Sequence, residues 1–321
     1  MEPTTTRPPY DPEVAAALAM MDANGALQSL TLESIDAMRA AQQETYDSID
    51  DFDDLDRVDL TIPGYEGAQL TVSVFRPPGH TGDGPGVLYI HGGGMIGGNR
   101  FTGLATVLPW VKEHGAVVVT VDYRLAPEHP DPYPVEDCYA ALLWLAEHAG
   151  DCGIDADRLL IAGASAGGGL AAGTALLSRD RQGPRLIGQM LQCPMLDDRD
   201  QTRSSAQFEG LGVWDRESNC TGWTALLGSR KGTAEVSVYA APGRSRDLSG
   251  LPPTFLDVAS AEVFRDEVVA YATQIWADGG VAELHVWPGG THGWEGLAPQ
   301  GRMARQAMDA RDRWIARLLE R

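Results

Sequence analysis

The chain has 321 residues, with 25 Lys and Arg against 45 Asp and Glu, a formal charge of −20, and 43% apolar residues. At about 150 residues per domain the length gives roughly two domains as a starting expectation, and the composition is that of a globular protein with room for a large core. The acidic excess repels phosphate backbones and anionic head groups, which argues against nucleic acid and membrane surfaces as partners.

Residues 1–10 lack the charged-then-apolar order of a secretory signal, and no run approaches the roughly 18 apolar residues of a membrane span. A cytoplasmic location is expected. The four cysteines, Cys138, Cys152, Cys193 and Cys220, form no C-x-x-C pair and read as reduced thiols.

Residues 1–50 carry helical spacing at Val14, Ala15, Leu18 and Met21 and again at Leu32, Ile35 and Met38. An acidic run over 47–56 follows. It lacks the spacing of a calcium loop and reads as a solvated turn. Strand-like runs come next, at 58–62, 70–75, 87–90 and 117–121, the last two continuously apolar, as strands covered on both faces are. A helix pattern over 135–149, a strand at 159–162 and a Gly- and Ala-rich helix from 166 to about 178 continue the chain. Strands at 187–192, 254–258 and 282–287 then alternate with helices at 263–277 and 302–319. Such alternation predicts a mostly parallel sheet with helices on both faces. The interval 194–251 breaks the rhythm with scattered aromatics, Phe208, Trp214, Trp223 and Tyr239, and is expected to lie over the carboxyl edge of the sheet.

The sharpest local signal is Gly163-Ala164-Ser165-Ala166-Gly167, between an apolar strand and a helix. A serine held at a tight strand-to-helix turn needs small neighbours, and there its hydroxyl stands clear of the sheet edge as a nucleophile. Upstream, His91-Gly92-Gly93-Gly94 follows the strand at 87–90. Backbone N–H groups of Gly93 and Gly94, with that of Ala166 at the helix start, are the expected oxyanion donors. The same glycines also fit a dinucleotide fingerprint, Gly92-x-Gly94-x-x-Gly97, but no clear helix opens at Gly97.

A serine nucleophile needs a base, and the base a carboxylate that orients it. His292, in the Gly-flanked loop Gly289-Gly290-Thr291-His292-Gly293, is the expected base. His285 lies within an alternating strand and reads as structural, while His80, His114, His129 and His148 fall in turns or helix ends. Glu262, just past the strand at 254–258, is the expected acid, with Asp266 and Asp257 as less favoured candidates. The order Ser165, Glu262, His292 is that of α/β-hydrolases rather than of chymotrypsin or subtilisin types. No H-E-x-x-H spacing supplies a zinc site, and neither metal nor cofactor is expected.

Together HGGG at 91–94, YRLAPEHP at 123–130, GASAGGGLAAG at 163–173, GLPPT at 250–254, EVFRDE at 262–267 and THGW at 291–294 resemble the hormone-sensitive-lipase family of α/β-hydrolases. Within it the chain looks most similar to bacterial heroin-esterase-like carboxylesterases, over roughly residues 55–320. The resemblance implies an α/β-hydrolase fold: a mostly parallel eight-stranded sheet, helices on both faces, and a helical cap. It divides the chain into an N-terminal cap part at 1–50, a catalytic domain at 51–196 and 251–321, and a cap insertion at 197–250. It also implies a small-molecule ester as substrate, attacked by Ser165, and gives Asp122, Arg124 and Glu128 supporting roles. Three positions depart from the family pattern: Glu262 where Asp is usual, Ala164 where Asp usually precedes the nucleophile, and Met95 where an aromatic residue commonly follows HGGG.

The expected function is hydrolysis of short-chain carboxylic esters through an acyl-enzyme, by a Ser-His-Glu triad. An amidase or lactone hydrolase would use the same residues, and a non-catalytic binding protein could share the fold. Met95, Phe208, Leu211, Trp214 and Trp294 are the expected pocket residues, although each also suits a cap core. The sequence leaves the oligomeric state open, a homodimer included.

Overall fold

A computed structural model describes residues 6–46 and 54–319. The acidic run of 47–56 therefore lies mostly outside the described residues. The chain begins with α1 (Pro12–Ala23) and α2 (Ile35–Tyr46), followed by β1 (Asp56–Pro63), β2 (Gln69–Arg76) and β3 (Gly84–Ile90). Next come α3 (Pro109–His114), β4 (Val117–Val121), α4 (Tyr133–Glu147), α5 (Ala149–Cys152), β5 (Ile154–Ala164), α6 (Ala166–Asp180) and β6 (Leu186–Gln192). After α7 (Arg203–Gln207) and α8 (Arg216–Leu227), the chain ends with β7 (Thr254–Ala259), α9 (Arg265–Ala277), β8 (Ala282–Trp287), α10 (Trp294–Leu297) and α11 (Arg302–Leu319).

The strands form one eight-stranded sheet in the order β1-β2-β4-β3-β5-β6-β7-β8, in which β1, β2 and β4 pair antiparallel and all other pairs are parallel. Alternation along β3 shows how the strands are buried twice over. Leu88 and Ile90 belong to the core cluster that holds Leu142 of α4, Leu170 of α6 and Val268 of α9, whereas Val87 and Tyr89 belong to the one that holds Trp110 of α3 and Trp314 of α11. Successive side chains leave opposite faces of a strand, so both faces must be apolar, and the continuous runs at 87–90 and 117–121 meet that requirement.

Register brings the functional segments together. Ile90 pairs with Gly163, Ala164 with Gln192, Gln192 with Asp257, and Ala259 with Trp287. The loops that leave these parallel strands therefore gather at one carboxyl edge, the usual place for a site in an open α/β sheet.

The interval 194–251 contains α7 and α8 and no strand, and it binds the N-terminal segment. Ser29 donates to Asp215 at 2.7 Å, the Leu30 N–H to Ser218 Oγ at 2.9 Å, and Thr221 Oγ1 to the Leu30 carbonyl at 2.8 Å. On the other side Arg39 of α2 donates to the carbonyls of Ile96 and Ala126, both at 2.7 Å, and pairs with Glu128. The second helix thus grips the loop that follows HGGG. Among the described residues no helix is long and apolar enough to cross a membrane.

Candidate active site

Ser165 sits between β5 and α6 at φ +57° and ψ −122°, a backbone state that costs on the order of 1–3 kcal/mol for a side-chain-bearing residue. Neighbouring backbone holds it there. Its N–H donates to Gln192 O at 2.8 Å, and its carbonyl accepts from Met195 N at 3.0 Å and Gly169 N at 3.1 Å. The glycines on either side answer to space. A Cβ on Gly163 would lie 2.2 Å from Gly167 O, and one on Gly167 would lie 2.1 Å from Ile90 O.

His292 Nε2 lies 2.9 Å from Ser165 Oγ, and His292 Nδ1 lies 3.2 Å from Glu262 Oε1. Glu262 turns back on its own loop, where Oε2 accepts the Ala259 N–H at 3.2 Å. The loops carrying the two residues are stitched together: Ala261 N donates to Gly290 O at 3.0 Å and Gly289 N to Ser260 Oγ at 2.8 Å. From the N-terminal segment, Asp11 N donates to Gly289 O at 2.8 Å. Phe264 meets the imidazole edge to face at 5.1 Å. Burial of the Glu262 carboxyl raises its pKa, and the facing His292 opposes that rise.

The other two carboxylates named above are engaged elsewhere. Asp257, buried in β7, accepts from Arg311 Nε at 2.9 Å and Trp287 Nε1 at 3.1 Å. Asp266 pairs with Arg265 and accepts the Ser204 N–H at 2.8 Å. Of the three, Glu262 alone hydrogen-bonds His292 among the described residues.

The HGGG loop abuts the serine. A Cβ on Gly92 would lie 3.3 Å from Ser165 Cβ, and Gly93 and Gly94 take φ of +116° and +63°. Ala166, also named as a donor, is buried at the first position of α6. His91 is buried, stacks on Tyr123 at 4.2 Å, and its Nδ1–H donates to Gly92 O at 2.7 Å. Burial pushes its imidazole pKa down to about 4, so the ring braces the loop as a neutral donor. Tyr123 OH completes the brace by donating to His91 O at 3.0 Å. The remaining motif residues lie close behind: Asp122 accepts from Arg100 N at 2.7 Å, Arg124 pairs with buried Asp137, and Glu128 pairs with Arg39.

The expected pocket residues separate. Trp214 reaches the site: a Cβ on Gly94 would lie 2.3 Å from its ring, and the ring lies 6.5 Å from that of His292. Met95 and Phe208 are fully buried in the large core cluster, and Trp294 packs with Val14 and Leu18 of α1. Leu211 is 40% exposed and lines a separate cleft of about 390 Å³ beside α1.

One buried cation near the site escaped the sequence reading. Arg311 of α11, 3% exposed, bridges Asp257 and Glu295 beneath the loops that hold Glu262 and His292. An arginine in the polar–apolar pattern of a terminal helix carries no local mark of this role; its partners lie 54 and 16 residues away.

A family profile described as alpha/beta hydrolase fold matches residues 87–296. Carboxylesterase NlhH of Mycobacterium tuberculosis is 34% identical over 304 residues, covering 92% of each chain. An ethyl acetate hydrolase of Pseudomonas putida is 30% identical over 292 residues, covering 88% of this chain and 91% of its own. Among solved structures, a bacterial heroin esterase superposes with a TM-score of 0.89 at 36% identity, covering 97% of this chain and 98% of the other. Esterase LipW from Mycobacterium marinum does so with a TM-score of 0.87 at 31% identity, covering 98% and 99%. With the eight-stranded sheet, the serine at its strand-to-helix turn and these similarities together, the chain belongs to the α/β-hydrolase fold family, in its hormone-sensitive-lipase-like branch of esterases.

Proposed function

We propose that this protein is a carboxylesterase that hydrolyses short-chain esters through Ser165, His292 and Glu262. The observation that carries the proposal is the unbroken path from Ser165 Oγ through the imidazole of His292 to Glu262, at 2.9 and 3.2 Å. His292 takes the Ser165 proton as the hydroxyl attacks the ester carbonyl, and Glu262 fixes the tautomer that leaves Nε2 free to accept it. The N–H groups of Gly93, Gly94 and Ala166 receive the oxyanion. The alcohol departs with a proton from His292, water replaces it, and a second pass through the same groups releases the acid.

A short acyl group fits the position of Trp214, whose ring closes over Gly94 beside His292. The name of the Pseudomonas putida relative, an ethyl acetate hydrolase, points the same way. The contacts between the segment joining the N-terminal helices and the interval 197–250 support reading these segments as one cap over the edge of the sheet.

The test is hydrolysis of p-nitrophenyl esters from acetate to decanoate, with a matched anilide. Turnover greatest on the short esters, weak on the anilide and abolished by Ser165→Ala supports the proposal. Undiminished turnover by Ser165→Ala would overturn it.

A further inference from the structure

A thiol lies beneath the Ser165–His292 pair and takes no part in ester hydrolysis. Cys193 follows β6, its N–H donates to Asp257 O at 2.7 Å, and its φ of +36° is unusual for a residue with a side chain. Its Sγ, a ring nitrogen of His292 and a carboxylate oxygen of Glu262 all lie within 4.8 Å of one another, with Cys193 and Glu262 buried and the His292 side chain 12% exposed. The surroundings are acidic: Asp257 and Glu295 lie close by, bridged by the one guanidinium of Arg311.

We infer that Cys193, Glu262 and His292 form an inhibitory binding site for a divalent cation of borderline or soft character, Zn²⁺ or Cd²⁺. Sulfur, imidazole nitrogen and carboxylate oxygen are the ligand types such ions select, whereas Mg²⁺ and Ca²⁺ require oxygen cages. The lengths fit. Tetrahedral zinc, with bonds of about 2.0–2.3 Å, holds its ligand atoms about 3.3–3.6 Å apart. Nδ1 and Oε1 already stand 3.2 Å apart, and the sulfur, within 4.8 Å of a ring nitrogen of His292 and a carboxylate oxygen of Glu262, needs a shift of about 1 Å.

Binding at Nδ1 stops catalysis by tautomer control. The Nδ1 proton moves to Nε2, the Cys193 thiol proton leaves to solvent, and bonds form from the metal to S, N and O, with nothing oxidised or reduced. With its proton on Nε2, His292 donates to Ser165 Oγ and can no longer accept from it. The inhibitory half of this inference rests on the proposed triad; the binding half does not.

The test uses a Cys220→Ser background, because Cys220 is the exposed thiol. Cd²⁺ titrated into the Ser165→Ala protein is expected to give an ultraviolet thiolate-to-metal charge-transfer band that saturates at one ion per chain and vanishes on adding Cys193→Ser. Cys193→Ala is the second variant should the serine version fail to fold. In parallel, Zn²⁺ is expected to inhibit the active protein reversibly by chelator while Mg²⁺ does not. The Zn²⁺ concentration for half-inhibition, each variant measured against its own metal-free rate, is expected to rise at least about tenfold when Cys193 is replaced. A band that persists without Cys193, or zinc inhibition indifferent to it, would overturn the inference. Absence of metal-free turnover would instead overturn the esterase reading, and the cadmium band alone would then decide the metal site.

Discussion

His292 Nδ1 stands 3.2 Å from Glu262 Oε1 while the other oxygen of the same carboxyl accepts the Ala259 N–H, also at 3.2 Å. The acid therefore spans from its own strand end to the imidazole, and the extra methylene of Glu over Asp is taken up by the turn at 259–262. In the proposed mechanism Glu262→Gln keeps the shape and loses the charge that fixes the tautomer. kcat is expected to fall about 10²–10⁴-fold with little change in KM. Glu262→Asp cannot hold both partners at once, and a misplacement on the order of 1 Å is expected to cost up to about 10²-fold in kcat. Steady-state kinetics of both variants on one short ester check this.

Trp214 is held by its Nε1–H to Asn219 Oδ1, at 3.3 Å, with its ring against Gly94. Removing the ring opens space beside the HGGG loop. Trp214→Ala is expected to move the acyl-chain optimum to longer esters, raising the octanoate-to-acetate ratio of kcat/KM by about tenfold. An unchanged ratio would mean that another residue limits the chain.

Gly167 opposes local preference to tertiary space. Alanine in a helix is favoured over glycine by about 1 kcal/mol, yet here a Cβ would lie 2.1 Å from Ile90 O and 2.4 Å from His91 O, both backbone atoms. Backbone cannot yield as a flexible side chain does. Gly167→Ala is therefore expected to destabilise by about 2–4 kcal/mol in denaturant unfolding and to lower activity further by displacing the HGGG loop.

Arg311 is the only guanidinium that contacts Asp257 and Glu295 among the described residues. Its removal would leave the buried Asp257 carboxylate without its cation, a change that costs about 3–5 kcal/mol in comparable sites. Arg311→Met is expected to lose stability on that scale, and adding Asp257→Asn to restore part of it. Chemical denaturation of the single and double variants measures the coupling.

Glu267 of α9 is buried and accepts the Leu196 N–H at 2.7 Å, and burial raises its pKa well above the ordinary carboxylate range. A carboxyl whose folded pKa is raised stabilises the fold most below its unfolded value, about 4.3, and loses that contribution as pH climbs to the folded value. Glu267→Gln keeps an acceptor oxygen and cannot ionise. Its melting temperature is expected to match wild type near pH 4 and to exceed it increasingly as pH rises, levelling once the wild-type carboxyl is charged.

Much of this protein is written locally. The doubly apolar strands at 87–90 and 117–121, the helices, the small residues around Ser165 and the glycines of 91–94 follow from neighbour-to-neighbour constraints, so the proposed nucleophile, acid and base could be named as candidates before any fold was known. Boundaries shifted by a few residues, as at α4, which starts at Tyr133 rather than at 135, because Pro134 suits a first helical turn. The fold and its family followed from the same local motifs.

What the tertiary structure alone decided are the partnerships between distant residues. Asp257, Glu262 and Asp266 all surround the end of one strand, and which of them reaches His292 depends on how β7 pairs with β8 and how the turn after Ala259 curls back. Trp214, Phe208 and Trp294 are alike in sequence as lone aromatics. Only packing sets the first, itself at the margin of the core, against Gly94 and His292, and buries the other two completely. Arg311, Arg39 and Cys193 carry no local mark either. Their positions arise when the sheet register and the α11 and α2 contacts fold segments far apart in sequence onto one edge, and such long-range placement has no counterpart in the periodicity or spacing of any single stretch of chain.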